Sequence, residues 1–276
     1  MTLAPADLAQ WRQWIGKTER VTQVLDAESL RRFAAAIGED LDVERVRPSL
    51  AHWAWFLPTV GPEALGEDGH PVRGGFLPPV TLAKRMFGAS EMRFDAPLDL
   101  GIAATRQSRI AAVDHRVGRS GALVTVTVEH DVEQAGRVRV SERQTIVYRD
   151  STAPVAAVVP VELDPPAADD SVWHPRAVDL FRFSAATFNS HRIHYDAPYA
   201  MSVEHYPGLV VQGPFAAARL FGFARRHGRT LRGFSFRATL PLFVDQPVRL
   251  TYGDEPETVS AVRCDGAVAM TAKAVF

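Results

Sequence analysis

Two histidines, His191 and His194, are the residues of this sequence best suited to acid-base chemistry. An imidazole changes its charge near neutral pH, so it can give or take a proton during a reaction. On a helix, residues at this spacing lie about one turn from each other on the same face. Taken alone the pair is a weak signal, because surface histidines or hydrogen-bonded structural histidines give the same pattern.

A glycine-proline pair, Gly213-Pro214, precedes a segment rich in Ala, Leu and Phe. Proline favours the first turn of a helix, and we predict an enclosed, apolar helix from Pro214 to Arg226. Free N–H groups at a helix start carry positive partial charge and could bind the oxygen of a thioester carbonyl as it becomes enolate-like. A nearby imidazole would then move a proton or activate water. The alternative is that the pair only begins the helix.

Two sequence blocks, Phe183 to Asp196 (FSAATFNSHRIHYD) and Tyr206 to Pro214 (YPGLVVQGP), resemble the signature of the MaoC-like hydratases. Within that family they are similar to the branch that contains the type 2 hydroxyacyl-thioester dehydratases and the mesaconyl-C4-CoA and itaconyl-CoA hydratases. The resemblance extends over essentially the whole chain. It implies a hot-dog fold, a CoA or carrier-protein thioester substrate, and reversible addition of water across the 2,3 double bond of a short, branched or dicarboxylic acyl group. We expect neither a metal ion nor a cofactor.

The chain departs from the broader family pattern at one position. In the family pattern, an aspartate stands five residues before the catalytic histidine. In this chain, Asn189 stands five residues before His194. An amide cannot shuttle a proton at neutral pH. The resemblance therefore implies that His194 is the main acid or base, that Asn189 orients the water or the imidazole, and that Gly213 is the oxyanion site. His191 and Asp196 are candidates for the second acid or base, although Asp196 also fits a turn residue at a helix end.

Several further residues are candidates for substrate binding. We expect Arg192 to recognise a substrate carboxylate, and Gln212 and Pro214 to contact the acyl thioester. Cations can bind the phosphates of CoA through charge-assisted hydrogen bonds; the candidates are Lys84, Arg85, Arg93, Arg225 and Arg226. The first half has no histidine-bearing block, so we expect one catalytic centre per chain. The first half would complete the sheet and shape the acyl pocket through His52, Trp53, Trp55 and Phe56, although residues of these types belong to a core more often than to a ligand site.

The chain is predicted to contain two similar halves, residues 1–150 and 171–276, joined by a Pro- and Ala-rich linker at 151–170. Leu30–Ala36 resembles Leu180–Ala186, and Arg93–Leu98 resembles Arg237–Leu242. The expected fold class is α+β, a double hot-dog in which each half wraps an antiparallel sheet around one helix. The predicted first-half helix is Val80–Phe87, and the predicted strands are Ile102–Val113, Ala122–Val132, Arg137–Tyr148, Phe234–Phe243, Val248–Tyr252, Thr258–Val262 and Ala267–Val275.

Composition excludes several partners. The 31 basic and 32 acidic residues nearly cancel, so the chain lacks the positive field that non-specific nucleic-acid binding requires. Neither a signal peptide nor a membrane span is expected, because charged and turn residues interrupt each apolar stretch. Cys264 is the single cysteine, which favours a reducing cytoplasm. A monomer and a homodimer of double hot-dog units are both expected possibilities.

Three functions from different classes compete. The first is a lyase of the hydratase or dehydratase type. The second is a hot-dog thioesterase, which needs a carboxylate positioned at the thioester carbonyl, where this block supplies Asn189. The third is a thioester-binding protein without catalysis, which would have no need for His194 beside Gly213. We favour the lyase.

Overall fold

The computed structural model describes residues 5–118, 121–149, 155–168, 170–228, 230–255 and 257–276. The α-helices of these residues are α1 (Pro5–Arg12), α2 (Ala27–Ile37), α3 (Ala177–Thr187), α4 (Ala197–Ser202) and α5 (Gly213–Ala224). The strands are β1 (Thr18–Val24), β2 (Lys84–Phe94), β3 (Ala103–Gly118), β4 (Gly121–Gln134), β5 (Arg137–Arg149), β6 (Ser171–Trp173), β7 (Gly233–Ala238), β8 (Val248–Tyr252), β9 (Thr258–Arg263) and β10 (Val268–Val275).

The strands form one continuous antiparallel sheet that both halves share. Within the described residues its order is β1-β3-β4-β5-β2-β7-β10-β9-β8-β6. Strands β2 and β7 join the halves, with Ala89 opposite Arg237 and Arg93 opposite Gly233. An antiparallel pair at this seam removes two open sheet edges, which a pair of separate sheets would have to protect from other chains.

Helix α5 lies on the second half of the sheet, as the sequence predicted. It is apolar on nearly every side, and Ala217 and Leu220 are completely buried. Strands β9 and β10 pack against it with their alternating buried side chains, including Val259 and Ala272. The helix ends at Ala224 and continues as a short 3₁₀ helix, Arg225–His227. Burial of a helix on all sides requires a sheet that curves around it.

The predicted helix Val80–Phe87 is wrong, because strand β2 begins at Lys84 and the residues before it have no regular structure. The guanidinium of Arg73 donates hydrogen bonds to the carbonyl oxygens of Val80, Leu82 and Ala83. Those carbonyls would accept backbone N–H groups in a helix, so the arginine replaces helical hydrogen bonds. Among the described residues, the first half therefore lacks a central helix that corresponds to α5.

The predicted strands are found with shifted ends. Val248–Tyr252 agrees in full, whereas the strand predicted for Phe234–Phe243 ends at Ala238. The later part of that segment contains Pro241, which has no N–H to give to a sheet. The alternation in the sequence therefore identified the strands more reliably than their ends.

Two observations support the internal repeat. The similar segments Leu30–Ala36 and Leu180–Ala186 lie in α2 and α3, which pack against each other through Phe33 and Phe183 with ring centroids 6.1 Å apart. Both members of the second similar pair begin in the seam strands β2 and β7. The described part of the predicted linker, residues 155–168 and 170, has neither helix nor strand. Residues 151–154 and 169 lie outside the described residues, so the linker's bounds stay a prediction.

None of the helices in the described residues has the length and hydropathy that a membrane span requires. Cys264 is a buried free thiol, packed in a small apolar cluster with Ile193 and Tyr206.

Candidate active site

A short 3₁₀ helix, Arg192–His194, carries the two histidines at its ends. His191 immediately precedes the helix, and His194 is its last residue. Helix α3 ends just before this segment, where Phe188 adopts a left-handed conformation with φ 51° and turns the chain. A 3₁₀ helix has three residues per turn, so side chains three apart fall on the same side. The two rings meet edge to face with centroids 5.3 Å apart. The spacing in the sequence thus correctly indicated that the histidines are neighbours.

His194 is buried with one ring nitrogen fixed. Its Nδ1 lies 2.7 Å from the carbonyl oxygen of Val210. A carbonyl only accepts hydrogen bonds, so Nδ1 carries the hydrogen and Nε2 keeps its lone pair. Burial, together with the charge of His191, lowers the pKa of His194 to about 3. The ring is therefore neutral at pH 7 and is available as a general base.

Asn189 holds the backbone of the same turn. Its Oδ1 accepts a hydrogen bond of 3.1 Å from the backbone N–H of His191. Its side chain also lines the cavity described below. The amide therefore joins the cavity wall to the histidine turn, which agrees with an orienting residue and not with a proton carrier.

The N-terminus of α5 lies beside this turn. Gln212 is fully buried, and its Nε2 donates hydrogen bonds of 2.9 Å to Leu180 and to Ser184, both in α3. Its Oε1 is buried and has no protein partner. A Cβ at Gly213 would lie 3.4 Å from the nearest atom, the carbonyl oxygen of Phe87, which is an ordinary contact. Packing within the chain therefore does not demand glycine at 213.

A cavity of about 780 Å³ opens between the two halves. This volume falls within the range of small-molecule sites, about 300–1,000 Å³. The second half contributes Ser184, Asn189, Ser190 and Pro214 to its wall. The first half contributes the aromatic residues that the sequence indicated, namely His52, Trp53, Trp55 and Phe56, together with Gly69, His70, Arg106, His130 and Glu142. The prediction of a pocket shaped by the first half thus agrees with the geometry.

A loop of the first half, Glu67–His70, completes the site and was not predicted. The carbonyl oxygen of Asp68 accepts a 2.9 Å hydrogen bond from the N–H of Arg192, and that of Gly69 accepts one from the hydroxyl of Ser190. Gly69 has φ +83°, and a Cβ there would lie 2.0 Å from the carbonyl oxygen of Ser190. The loop can therefore approach the histidine turn this closely only because residue 69 is glycine.

The same loop brings a third imidazole to the site. The ring of His70 lies against that of His191 with a centroid separation of 4.0 Å. The sequence signal was the Asp68-Gly69-His70 turn, a type of turn in which glycine and aspartate are common. Comparison of the two halves missed it, because His70 does not lie opposite the histidine block in the repeat.

Arg192 and Asp196 bind each other instead of facing the cavity. Their side chains form an ion pair of 2.8 Å, and the guanidinium lies 4.0 Å from the ring centroid of Tyr199. Asp196 also caps α4 by accepting a 3.1 Å hydrogen bond from the N–H of Tyr199. Neither is among the described residues that line the cavity, and neither are His191, His194, Gln212 and Gly213; of the predicted site residues, Asn189 and Pro214 line it. The substrate-binding role predicted for Arg192 and the acid-base role considered for Asp196 gain no support from this arrangement.

The cations considered for CoA phosphates also have protein partners. Lys84 is buried and donates to the carbonyl oxygen of Glu204 at 2.6 Å, and Arg93 pairs with Asp95. Arg225 and Arg226 lie at the far end of α5, about 18 Å from Gly213 at a rise of about 1.5 Å per residue. None of the five predicted cations is among the described residues of the cavity wall.

The family of this chain follows from comparison with known proteins. The sequence profile of the family "Hydroxyacyl-thioester dehydratase type 2" matches residues 50–244. The chain therefore belongs to that family, a family of hydro-lyases. The predicted resemblance to MaoC-like hydratases and the α+β double hot-dog fold are confirmed.

Individual relatives agree with this assignment. The chain is 42% identical over 273 residues, 96% of its own length and 97% of the relative's, to mesaconyl-C(4)-CoA hydratase of Chloroflexus aurantiacus. It is 37% identical over 83 residues, 29% of this chain and 28% of the relative, to the mitochondrial hydroxyacyl-thioester dehydratase type 2 of Schizosaccharomyces pombe. Among solved structures, HtdX of Mycobacterium tuberculosis is similar in fold, with a TM-score of 0.67 at 18% identity, covering 94% of this chain and 99% of that one.

Proposed function

We propose that this chain is a hydratase of short, dicarboxylic enoyl-CoA thioesters, with mesaconyl-C4-CoA as its substrate. The observation that supports the reaction is the neutral imidazole of His194, with Nδ1 held by Val210 and Nε2 free, beside the start of α5. The proposed substrate rests on the similarity, over nearly the whole length of both chains, to a protein named for that activity.

The chemistry requires three contributions from the chain. The thioester carbonyl would lie at the start of α5, where the N–H of Gly213 is a donor and Pro214 has none. A water molecule adds its oxygen to C3 while His194 Nε2 takes one of its protons. The C2–C3 π electrons then form a double bond between C2 and the thioester carbon, and the carbonyl π electrons move onto the oxygen. The N–H groups and the helix dipole stabilise that enolate oxygen. The imidazolium then returns the proton to C2, so that one water is consumed and the enzyme is unchanged.

One part of the mostly apolar cavity wall can interact with a polar acyl group. Beside the aromatic residues, its wall contains Arg106, His130, Glu142 and Gln144. The carboxylate of Glu142 accepts hydrogen bonds from Ser90 and Trp53 and lies 3.2 Å from His52 Nε2. An aliphatic chain next to these groups would remove water from them without replacing its hydrogen bonds, which costs free energy. Among the described lining residues, Arg106 carries a permanent positive charge that the free carboxylate of the substrate could approach, although its guanidinium also contacts Glu19 and the carbonyl oxygen of Phe56.

The thioesterase alternative is less well supported. Attack at the carbonyl would need a carboxylate beside the start of α5. Glu142, the carboxylate of the described cavity wall, is instead surrounded by His52, Trp53 and Ser90 in the first half. Hydrolysis would release free CoA thiol, which hydration does not.

The proposed function is tested by measuring the absorbance of the conjugated enoyl thioester with crotonyl-CoA, mesaconyl-C4-CoA and itaconyl-CoA in turn. A thiol assay is run in parallel. We expect the mesaconyl-C4-CoA band to be lost without thiol release, and that loss to be abolished in His194→Ala. His174→Ala, which changes an exposed histidine outside the cavity wall, is the control. Thiol release would instead assign a thioesterase, and binding without turnover would assign a thioester-binding protein.

We also propose that the enzyme acts in the cytoplasm as a monomer or homodimer without a cofactor, on CoA or carrier-protein thioesters. The near-balanced charge and the single cysteine support this environment. Light scattering coupled to size-exclusion chromatography would decide between a monomer and a homodimer.

A further inference from the structure

The first half of the chain places an aspartate-histidine pair at the wall of the cavity. His70 Nδ1 lies 3.1 Å from Asp68 Oδ2, and the backbone N–H of His70 donates to Asp68 Oδ1 at 2.9 Å. A carboxylate only accepts hydrogen bonds, so Nδ1 carries the hydrogen and Nε2 keeps a lone pair. This arrangement is the same as that of His194, with a carboxylate in place of the Val210 carbonyl.

His70 is neutral at pH 7, as is His194. Burial lowers the pKa of His70 to about 3 despite the neighbouring carboxylate, and the charges of His191 and Arg85 act in the same direction. Burial by itself would raise the pKa of Asp68, but hydrogen bonds from His70 and its charge hold that pKa far below its usual value. A positive charge on His70 would also lower the pKa of His194, so the two rings influence each other.

Other groups near the histidine turn are already engaged. The amide of Asn189 cannot accept a proton. Arg192 and Asp196 form an ion pair away from the cavity, and His191 Nε2 lies 3.5 Å from Glu204. His70, in contrast, is part of the cavity wall. Of the polar groups around the turn, it is the one that combines an imidazole lone pair with contact to the cavity.

A metal ion is the competing explanation for this cluster, since ligand atoms of Asp68, His70 and His191 lie within 4.8 Å of one another. Two imidazoles bound to one zinc ion, with bonds of about 2.0–2.1 Å at a tetrahedral angle, would hold their ring centroids about 5 Å apart. The ring centroids of His70 and His191 are only 4.0 Å apart, with the planes tilted by 37°, so the rings are in direct contact. Asp68 Oδ2 is also occupied by the hydrogen of His70 Nδ1. The geometry favours an acid-base pair over a metal site.

We propose that His70, a residue of the first half, is the second catalytic residue of the hydration, and that Asp68 positions it; this inference rests on the proposed function. The attacking water donates one hydrogen bond to His194 Nε2 and the other to His70 Nε2. The first proton moves to His194 as the O–C3 bond forms and then returns to C2. The second stays on oxygen as the hydroxyl hydrogen, so atoms and charge balance. With both hydrogens held, an oxygen lone pair is directed at C3.

Asp68 acts by fixing the tautomer of His70, and this role is testable apart from catalysis. In Asp68→Asn the side-chain oxygen still accepts the backbone N–H of His70, so the amide NH₂ faces Nδ1. Nδ1 must then accept, and the hydrogen moves to Nε2, which can no longer accept from water. Nitrogen NMR of labelled histidine should show an unprotonated Nε2 for His70 in the wild type and a protonated Nε2 in Asp68→Asn.

The kinetic test compares His70→Phe, which keeps a ring against His191 but has no acceptor, with His70→Gln, which keeps an acceptor. We expect kcat to fall about 100-fold or more in His70→Phe and in Asp68→Asn, to fall less in His70→Gln, and KM to change less than about threefold in all three. His174→Phe, at an exposed site, should match the wild type. The melting temperature of each variant, measured alongside, separates loss of fold from loss of chemistry.

The outcomes distinguish this inference from the proposed function. If the wild type hydrates an enoyl-CoA and folded His70→Phe retains that rate, the inference is wrong and the function stands. If chelators abolish the wild-type rate and zinc restores that rate, the cluster is a metal site and the inference is wrong. A wild type that hydrates none of the three thioesters overturns the function and, with it, this inference.

Discussion

The carbonyl oxygen of Val210 lies 2.7 Å from Nδ1 of His194 and decides which ring nitrogen carries the hydrogen. Val210 precedes α5 by only a few residues, so one short segment both orients His194 and begins the helix whose N–H groups would face the substrate in the proposed reaction. The relative placement of base and oxyanion site is thereby fixed by local backbone. Side chains of the other half then supply the cavity and the third imidazole.

Gly69→Ala should separate the first-half loop from the histidine turn. A Cβ at this position would lie 2.0 Å from the carbonyl oxygen of Ser190, and φ is +83°. Gly101→Ala is the matched control, with φ +75° and no atom within 4 Å of its Cβ. The control should lose about 1–2 kcal/mol of unfolding free energy through backbone strain, and Gly69→Ala about 1–3 kcal/mol more. Urea unfolding measures both, and equal losses would show that the loop does not need its close approach.

The unfolding free energy should decrease as the pH falls below about 6.5. His194 has a folded-state pKa of about 3, so the unfolded state binds its proton first. The stabilisation that the neutral ring gives is fully present above the unfolded pKa and is lost as the pH falls toward 3. At pH 5 the loss from this one group is about 2 kcal/mol. Urea unfolding of the wild type and of His194→Gln at pH 5 and pH 8 tests this, and an identical pH dependence would contradict it.

Arg106 and Arg192 should differ in their effect on substrate choice. Both arginines have an acidic partner, Glu19 for Arg106 and Asp196 for Arg192, but only Arg106 is among the described residues that line the cavity. We therefore expect Arg106→Met to raise KM for mesaconyl-C4-CoA about tenfold or more, relative to crotonyl-CoA, through the loss of a charge-assisted contact. Arg192→Met should change KM for both substrates alike and lower the melting temperature. If Arg192→Met raised KM for mesaconyl-C4-CoA selectively and Arg106→Met did not, Arg192 would be the carboxylate-binding residue.

Glu142→Ala should destabilise the fold more than most surface changes. Burial raises the pKa of Glu142, but the hydrogen bond and charge of His52, with the charge of His130 and a bond from Ser90, bring it down to about 2. The carboxylate thus contributes stability above its unfolded pKa that is lost as the pH falls toward 2. Removing it leaves buried donors unpaired, at a cost of about 3–5 kcal/mol at pH 7. Glu91→Ala, at an exposed site, is the control. A similarly small loss of unfolding free energy in both variants would contradict a stabilising role for the Glu142 carboxylate.

The sequence by itself determined the family, the chemistry and much of the local structure. The block from Phe183 to Asp196 and helix α5 could be predicted because their signals lie within a few turns of chain: residue spacing, a proline at the first turn and an unbroken apolar run. Strands β3–β5 and β7–β10 could be predicted from alternation, whereas β1 and β6 were missed. Strand β2 could not, because its conformation depends on Arg73 and on pairing with distant strands β5 and β7.

Only the tertiary structure decided which side chains meet at the cavity. Arg192 has the residue type of a carboxylate-binding residue, but Asp196, four positions later, takes its charge. His70 has no counterpart in the repeat, yet the glycine before it lets its loop dock on Ser190 and brings the ring against His191. The spacing of residues in the sequence predicts which of them share a turn of a helix or a face of a strand. Contacts between the two halves depend on the packing of the whole sheet, which no short segment of the chain contains.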